Sequence, residues 1–240
     1  MPPPPTSTTT GLHAIAAPGR AAHSTRLEAF VDAAFAFALT LLVISVDTIP
    51  ESIADLARAL KDVPAFALSF AVIAMFWYQH VRWSRRYGTD GLPATLLSLA
   101  LVFLVLVYVY PLKILFSSFM AAVSGGWLPS STRIGTLDDL VVVYLVYGLG
   151  WSAMWLCITG LYLTVRRRGA ASREEAGDVA GAIAVGAVAI GTGVISIALA
   201  LLLPLHPAHA WIHGLPGLAY VLMNLAWPLS RRAARRAEDG

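Results

Sequence analysis

The sequence predicts an all-α membrane protein with six transmembrane helices and both termini in the cytoplasm. Three observations carry that expectation. Of the 240 residues, 58% are hydrophobic and only 13% charged, with a mean hydropathy of +0.70. A soluble domain carries about 25% charged residues. The apolar residues gather into runs of about 20, the length at which a helix crosses about 30 Å of hydrocarbon. The basic residues then sort by side. With six crossings, Arg20, Arg26, Arg82, Arg85, Arg86, Arg166, Arg167, Arg168, Arg173, Arg231, Arg232, Arg235 and Arg236 fall together, and only Arg58, Lys61, Lys113 and Arg133 fall opposite. An excess of positive charge marks the cytoplasmic side. The implied location is the cell inner (plasma) membrane, with the lipid bilayer as the first partner.

The elements follow in order. Residues 1–24 open with MPPPPTSTTTG and are expected to form a disordered tail. No positive segment precedes a short apolar core with a cleavage site there, so no signal peptide is read. A six-helix transmembrane domain is expected over 25–230. Thr25 followed by Glu28 fits a capping box, which starts helix 1 near Arg26 and runs it to about Val46. The segment after it, TIPESIADLARALKD, has Ile53, Leu56, Ala57 and Leu60 at helical spacing, as an interfacial helix would. Helix 2 is expected from about Val63 to Trp83, helix 3 from Leu92 to Leu115, helix 4 from Leu137 to Val165, helix 5 from Val179 to Leu203 and helix 6 from Trp211 to Leu229. The loop SGGWLPSSTRIGTLDD has turn composition. Residues 231–240 read as a basic cytoplasmic tail.

Several residues are candidates for chemistry. Asp32 sits well inside helix 1, where a carboxylate facing lipid is costly. Arg26, Glu28 and His80 are its candidate partners in a polar cluster; the alternative is a helix-start acid in the headgroup zone, favoured by the helix dipole. Phe37, Thr40, Leu41 and Ile44 share one face of helix 1. Around an axis, copies of that face would stack apolar rings and a hydroxyl ring, a constriction that gates by dewetting. The alternative is ordinary packing, with Thr40 bonding its own i−4 carbonyl. Trp77, His80 and Trp83 fall on one face of helix 2; the tryptophans read as interface anchors and His80 as a hydrogen-bonded histidine, while Tyr108, Tyr110, Pro111 and Lys113 in helix 3 read as outer-interface anchoring. His206, His209 and His213 have H-x2-H-x3-H spacing, open to a metal or to protonation sensing, but Pro207 interrupts the stretch and no carboxylate lies nearby in sequence. The expectation is no metal site. Cys157 is the single cysteine, so no intrachain disulfide forms.

Other classes find no support. Walker A, H-E-x-x-H, G-x-S-x-G and TVGYG signatures are missing. The apolar runs hold no pair of acids resembling a proton relay. The net charge of +3 does not point to nucleic acid, because the arginines sit at helix ends. The chain is not expected to be an enzyme.

Arg26 to Asp32, R-L-E-A-F-V-D, followed by A-F-A-F-A-L-T-L-L-V-I-S-V-D, resembles the first helix of the TMEM175 potassium channel family. That family's mark is R-x3-F-S-D followed by an apolar stretch containing T-L-L-V. F-W-Y-Q-H, Phe76 to His80, is similar to the family's F-W-x-x-H in helix 2. The resemblance covers helices 1 and 2 in sequence and the rest in hydropathy. It implies a bacterial-type channel with one six-helix unit per chain and a homotetramer in which helix 1 lines a central pore. It implies potassium as the permeant ion and no cofactor. Carried over position by position, Phe37, Thr40, Leu41 and Ile44 line the pore. Arg26, Phe30 and Asp32 match the motif that supports packing of the pore helices, and Trp77 and His80 match its helix 2 partner. Asp47 falls near the outer mouth, where it raises local cation concentration. Two positions depart from the pattern. Val31 replaces the family's Ser, removing a hydroxyl, and Phe37 replaces an Ile or Leu, so four rings would narrow the pore unless they rotate aside. A secondary transporter, hinted at by the glycines of helix 5, and a non-conducting scaffold on the same fold are the competing readings.

Overall fold

A computed structural model of the chain describes residues 18–44, 51–88, 91–132, 134–169, 171–205 and 210–239. Regular structure among them is helical throughout: α1 (Pro18–Ile44), α2 (Ile53–Leu60), α3 (Val63–Tyr87), α4 (Leu92–Val123), α5 (Leu137–Arg168), α6 (Arg173–Leu202), α7 (Leu215–Leu218) and α8 (Ala226–Asp239), with 3-10 turns at 203–205, 210–214 and 219–225. The helices α3, α4, α5 and α6 are each long and apolar enough to cross a membrane.

The helix ends follow local chemistry. α1 begins at Pro18, inside the stretch expected to be a disordered tail, and runs through the Thr25–Glu28 pair taken as its cap. Proline suits the first helical position, where its missing N–H costs nothing. α2 is the short helix expected after helix 1. Ser52 caps it, its Oγ accepting from Asp55 N at 3.1 Å, and Ile53, Leu56 and Leu60 leave their apolar surface uncovered within the chain. Outside the spans, the Ser52 hydroxyl and then Arg58 hold the Asp55 carboxyl below the usual carboxylate range. α3 runs past Trp83 to Tyr87, where Gly88 (φ 73°) ends it. α4 runs past Leu115 to Val123 and stops at Gly125 and Gly126, both with positive φ. At 32 residues it is about 48 Å long, more than the hydrocarbon needs. α5 starts on a capping box between Thr136 and Asp139. α6 starts at Arg173, earlier than expected, because the Ser172 side chain caps Glu175 N.

The last span differs most. A continuous helix was expected over 211–229. It is instead a 3-10 turn, a single α turn, a second 3-10 turn over 219–225 and then α8. Gly214, Pro216 and Gly217 fall together in the first part; proline removes a donor and glycine weakens the helix, so the tighter winding wins. The residues expected as a basic tail are helical. Residues 231–239 continue α8, which packs against α6.

The core joins all the long helices. Val31, Phe35, Ala38 and Leu42 of α1 pack against Ile73, Phe76 and Trp83 of α3 and against the apolar side of α4. Phe76 meets Trp151 and Trp155 of α5 edge-on at 5.7 and 5.6 Å. Tyr220 completes the aromatic column against Tyr147 and Trp151. The helices α5 and α6 approach through small residues. A Cβ at Gly193 would collide with Ser152 Oγ, one at Gly186 with Thr159 Oγ1, and one at Gly148 would sit 2.6 Å from Ile197 Cγ1. Gly186 and Gly193 of α6 thus serve close helix packing, and α6 is uninterrupted. Cys157 is buried.

Candidate functional site

α1 has two unlike sides. Leu27, Val31, Phe35, Ala38 and Leu42 recur at intervals of four, four, three and four residues and are buried on α3 and α4. The opposite side carries Arg26, Ala29, Phe30, Ala33, Ala36, Phe37 and Thr40, all exposed within the chain. Phe30 and Phe37 are 53% and 55% exposed, high values for phenylalanine in an apolar helix. Leu41 lies at the edge of this face, half-buried. The backbone of Ile44 continues the same helix, and Asp47 lies outside the described residues.

Thr40 Oγ1 donates to Ala36 O at 3.0 Å, the local bond that lets a membrane helix carry a hydroxyl at little cost. Val31 is fully buried among apolar side chains, so the position that departs from the family pattern serves packing and not the polar contacts around Asp32.

Asp32 has a different partner from those expected. Trp77 Nε1 of α3 donates to Asp32 Oδ1 at 2.8 Å, fastening α1 to α3. His80 is 1% exposed, and its Nε2 lies 3.0 Å from Ser98 Oγ of α4. Trp83 is buried beside it, with ring centroids 6.0 Å apart. The three residues read as one face therefore split. Trp77 serves α1, while His80 serves α4. Positions three apart on a helix are offset by about 60°, enough to meet different neighbours.

A second polar junction lies at the basic end of the bundle. Asp178 of α6 accepts from Arg82 Nη2 at 2.6 Å and from Tyr87 OH at 2.6 Å. Arg86 lies 3.6 Å from Asp178 and 3.3 Å from Glu174. Arg168 of α5 donates to Tyr87 O at 3.1 Å. This network was not singled out in the sequence. Its signal was there: two bases one turn apart close α3, and two acids one turn apart open α6. At the opposite end, Lys61 Nζ donates to Trp127 O at 3.3 Å and lies over the Trp127 ring.

Of the histidine triplet, His206 and His209 lie outside the described residues. His213 borders an apolar cleft of about 830 Å³ between α4, α5 and α7, which no residue of α1 or α3 lines.

The comparisons bear on the same part of the chain. Residues 26–111, which hold α1 from Arg26 onward, α2, α3 and α4 as far as Pro111, match the family described as endosomal/lysosomal potassium channel TMEM175. A protein of Marivirga tractuosa named a potassium channel is 40% identical over 149 residues. That alignment covers 60% of this chain and 60% of the relative, so the chain matches somewhat less than two thirds of the relative's length. The crystal structure of the potassium channel MtTMEM175, a variant in complex with a nanobody–MBP fusion protein, superposes with a TM-score of 0.72. It is 30% identical, and the match covers 90% of this chain and 94% of that one. With the polar-ended α1, its exposed face and the Asp32–Trp77 bond all inside the matched segment, this multi-pass membrane protein belongs to the TMEM175 family.

Proposed function

We propose that the chain is a potassium-permeable channel, assembled as a homotetramer in which α1 of each subunit faces the central axis. The observation that carries this reading is the exposed side of α1. A face made of Phe30, Ala33, Phe37 and Thr40, flanked by Asp32, is left uncovered by the described residues. Toward lipid, the Asp32 carboxylate beside that side is costly, whereas toward copies of the same helix the alanines allow close approach. Around a four-fold axis, Phe37, Thr40, Leu41 and Ile44 become stacked rings. The apolar rings form a constriction that excludes bulk water. An ion passing it sheds part of its hydration shell, which costs the larger potassium ion less than sodium. The Thr40 ring offers oxygens at that point.

Family membership supports the potassium assignment, and both named relatives are potassium channels. The chain crosses the membrane six times, with α1 and the 3-10-rich last segment added to the four long apolar helices. Both ends face the cytoplasm, and the membrane is the inner (plasma) membrane. Asp47 borders the outer mouth and concentrates cations there. The bases that support the orientation lie at the end of the Asp178 network, while Lys61 and Trp127 lie at the other.

Flux measurements in proteoliposomes test the reading. Native protein passes potassium without saturation and without a counter-transported ion. Phe37→Ala and Ile44→Asn each change the rate or the potassium-to-sodium ratio. If both variants match the native protein, α1 does not form the constriction.

A further inference from the structure

The arginines at the end of the chain sit at a defined depth. α8 runs back along the first turns of α6. A Cβ at Gly181 would meet Ser230 O at 3.3 Å and Ala234 Cβ at 3.8 Å, and one at Gly177 would collide with Glu238. Ser230 is therefore level with Gly181, and Glu238 with Gly177. Asp178, between them, receives Arg82 and Tyr87 where α3 leaves its apolar stretch. The segment 231–236 thus lies at the rim of the bundle, in the headgroup layer, and not in the water beyond it.

The two sides of α8 divide cleanly. Ala233, Ala234 and Ala237 are half-buried toward α6, while Arg231, Arg232, Arg235 and Arg236 are exposed. Their spacing of one, three and one places all four guanidiniums on one face. Trp227, one turn earlier, is 63% exposed, and the Arg231 guanidinium lies 3.8 Å from its ring centroid. An exposed indole at a helix end is an interfacial anchor. Three described acids of α6 near this end are occupied elsewhere. Asp178 and Glu174 pair with Arg82 and Arg86, Glu175 accepts from Ala171 N, and Glu238 lies against Gly177. Among the described residues, no ion pair engages the four arginines.

We propose that this face of α8 binds the phosphate of an anionic phospholipid in the leaflet on the basic side of the bundle. Guanidiniums one turn apart offer paired N–H donors that match phosphate oxygens. A basic cluster beside a membrane span gains about a five-fold preference for an anionic surface per arginine. Trp227 holds the glycerol region below the phosphate. The site requires membrane-embedded helices and the depth of α8. It does not require that the pore conduct, so a silent channel leaves it standing.

Photo-crosslinking tests it on the full-length protein in phosphatidylcholine vesicles. The probes are phosphatidylglycerol and phosphatidylcholine, each with a diazirine near the headgroup, and the readout is the yield on the 226–239 segment by mass spectrometry. The phosphatidylglycerol probe labels this segment at least five-fold more than the phosphatidylcholine probe. Arg231→Gln/Arg235→Gln brings the two yields together, and Arg231→Lys/Arg235→Lys restores most of the difference. Raising the salt concentration on native protein lowers the anionic yield alone, which keeps the test valid if the Gln variant fails to fold. Equal labelling of native protein, or anionic labelling that survives the Gln variant or high salt, overturns the proposal. So does complete displacement by millimolar inorganic phosphate, the behaviour of a free-anion site.

Discussion

Trp77 donates to Asp32 across 2.8 Å, and the acceptor is a carboxylate near the uncovered side of α1. Trp77→Phe keeps most of the ring and removes the donor. It should cost about 1 kcal/mol of stability, the net value of a typical protein hydrogen bond. Asp32→Asn keeps an acceptor and should cost less. Thermal unfolding in detergent checks the order, and a Trp77→Phe protein that melts with the native one would show that the bond contributes nothing. The sequence offered Arg26, Glu28 and His80 as candidate partners of Asp32 and did not name Trp77 among them. Spacing gives the angle between two side chains on one helix. It does not give the absolute rotation of that helix, which is set by the packing of Phe76 and Trp83 into the core. Val31 illustrates the same limit. As a departure from a motif it looked like a lost hydroxyl, but its burial shows a packing residue.

At the scale of the element, α5 and α6 are held by contact between glycines and side chains one layer deep. Gly186 faces Thr159 Oγ1 so closely that a Cβ has no room, whereas a Cβ at Gly191 meets nothing within 4 Å. Gly186→Leu should therefore separate the helices and cost about 1–3 kcal/mol, the range for overpacking. Gly191→Ala should be neutral or stabilising by up to about 1 kcal/mol, the propensity difference between the two residues. Equal melting of the two variants would remove the packing argument. The four long apolar helices α3 to α6 were legible in order, because hydropathy measures the match to hydrocarbon directly. Their ends were less so. Where a cap competes with helix-compatible flanks, as at Thr25 or Val179, the helix simply continues to the next stop. The last span misled for a local reason: Gly214, Pro216 and Gly217 lie in an apolar run that hydropathy alone reads as one helix.

For the whole molecule, the question is what covers α1. A single chain buries Leu27, Val31, Phe35, Ala38 and Leu42 and leaves the other side open, so the fold is complete on one side only. Ala29, Ala33 and Ala36 sit on the open side with Phe30 and Phe37. In hydrocarbon, helices associate through close packing and not through a water-driven force, so small residues at the contact decide whether neighbours approach. Ala33→Phe adds a ring to that side while touching nothing buried in its own chain. In the proposed tetramer it should shift the mass measured by light scattering in detergent from four chains toward one, with helical circular dichroism unchanged. Ala38→Phe, placed on the buried side, should instead destabilise the chain itself by about 1–3 kcal/mol, because a closed core has no space for the ring. The pair separates assembly from folding. A tetramer that persists with Ala33→Phe would mean that α1 faces lipid and that the uncovered side is not an axis. Loss of the tetramer with a folded chain is the result that ties the exposed phenylalanines and Thr40 to a shared pathway.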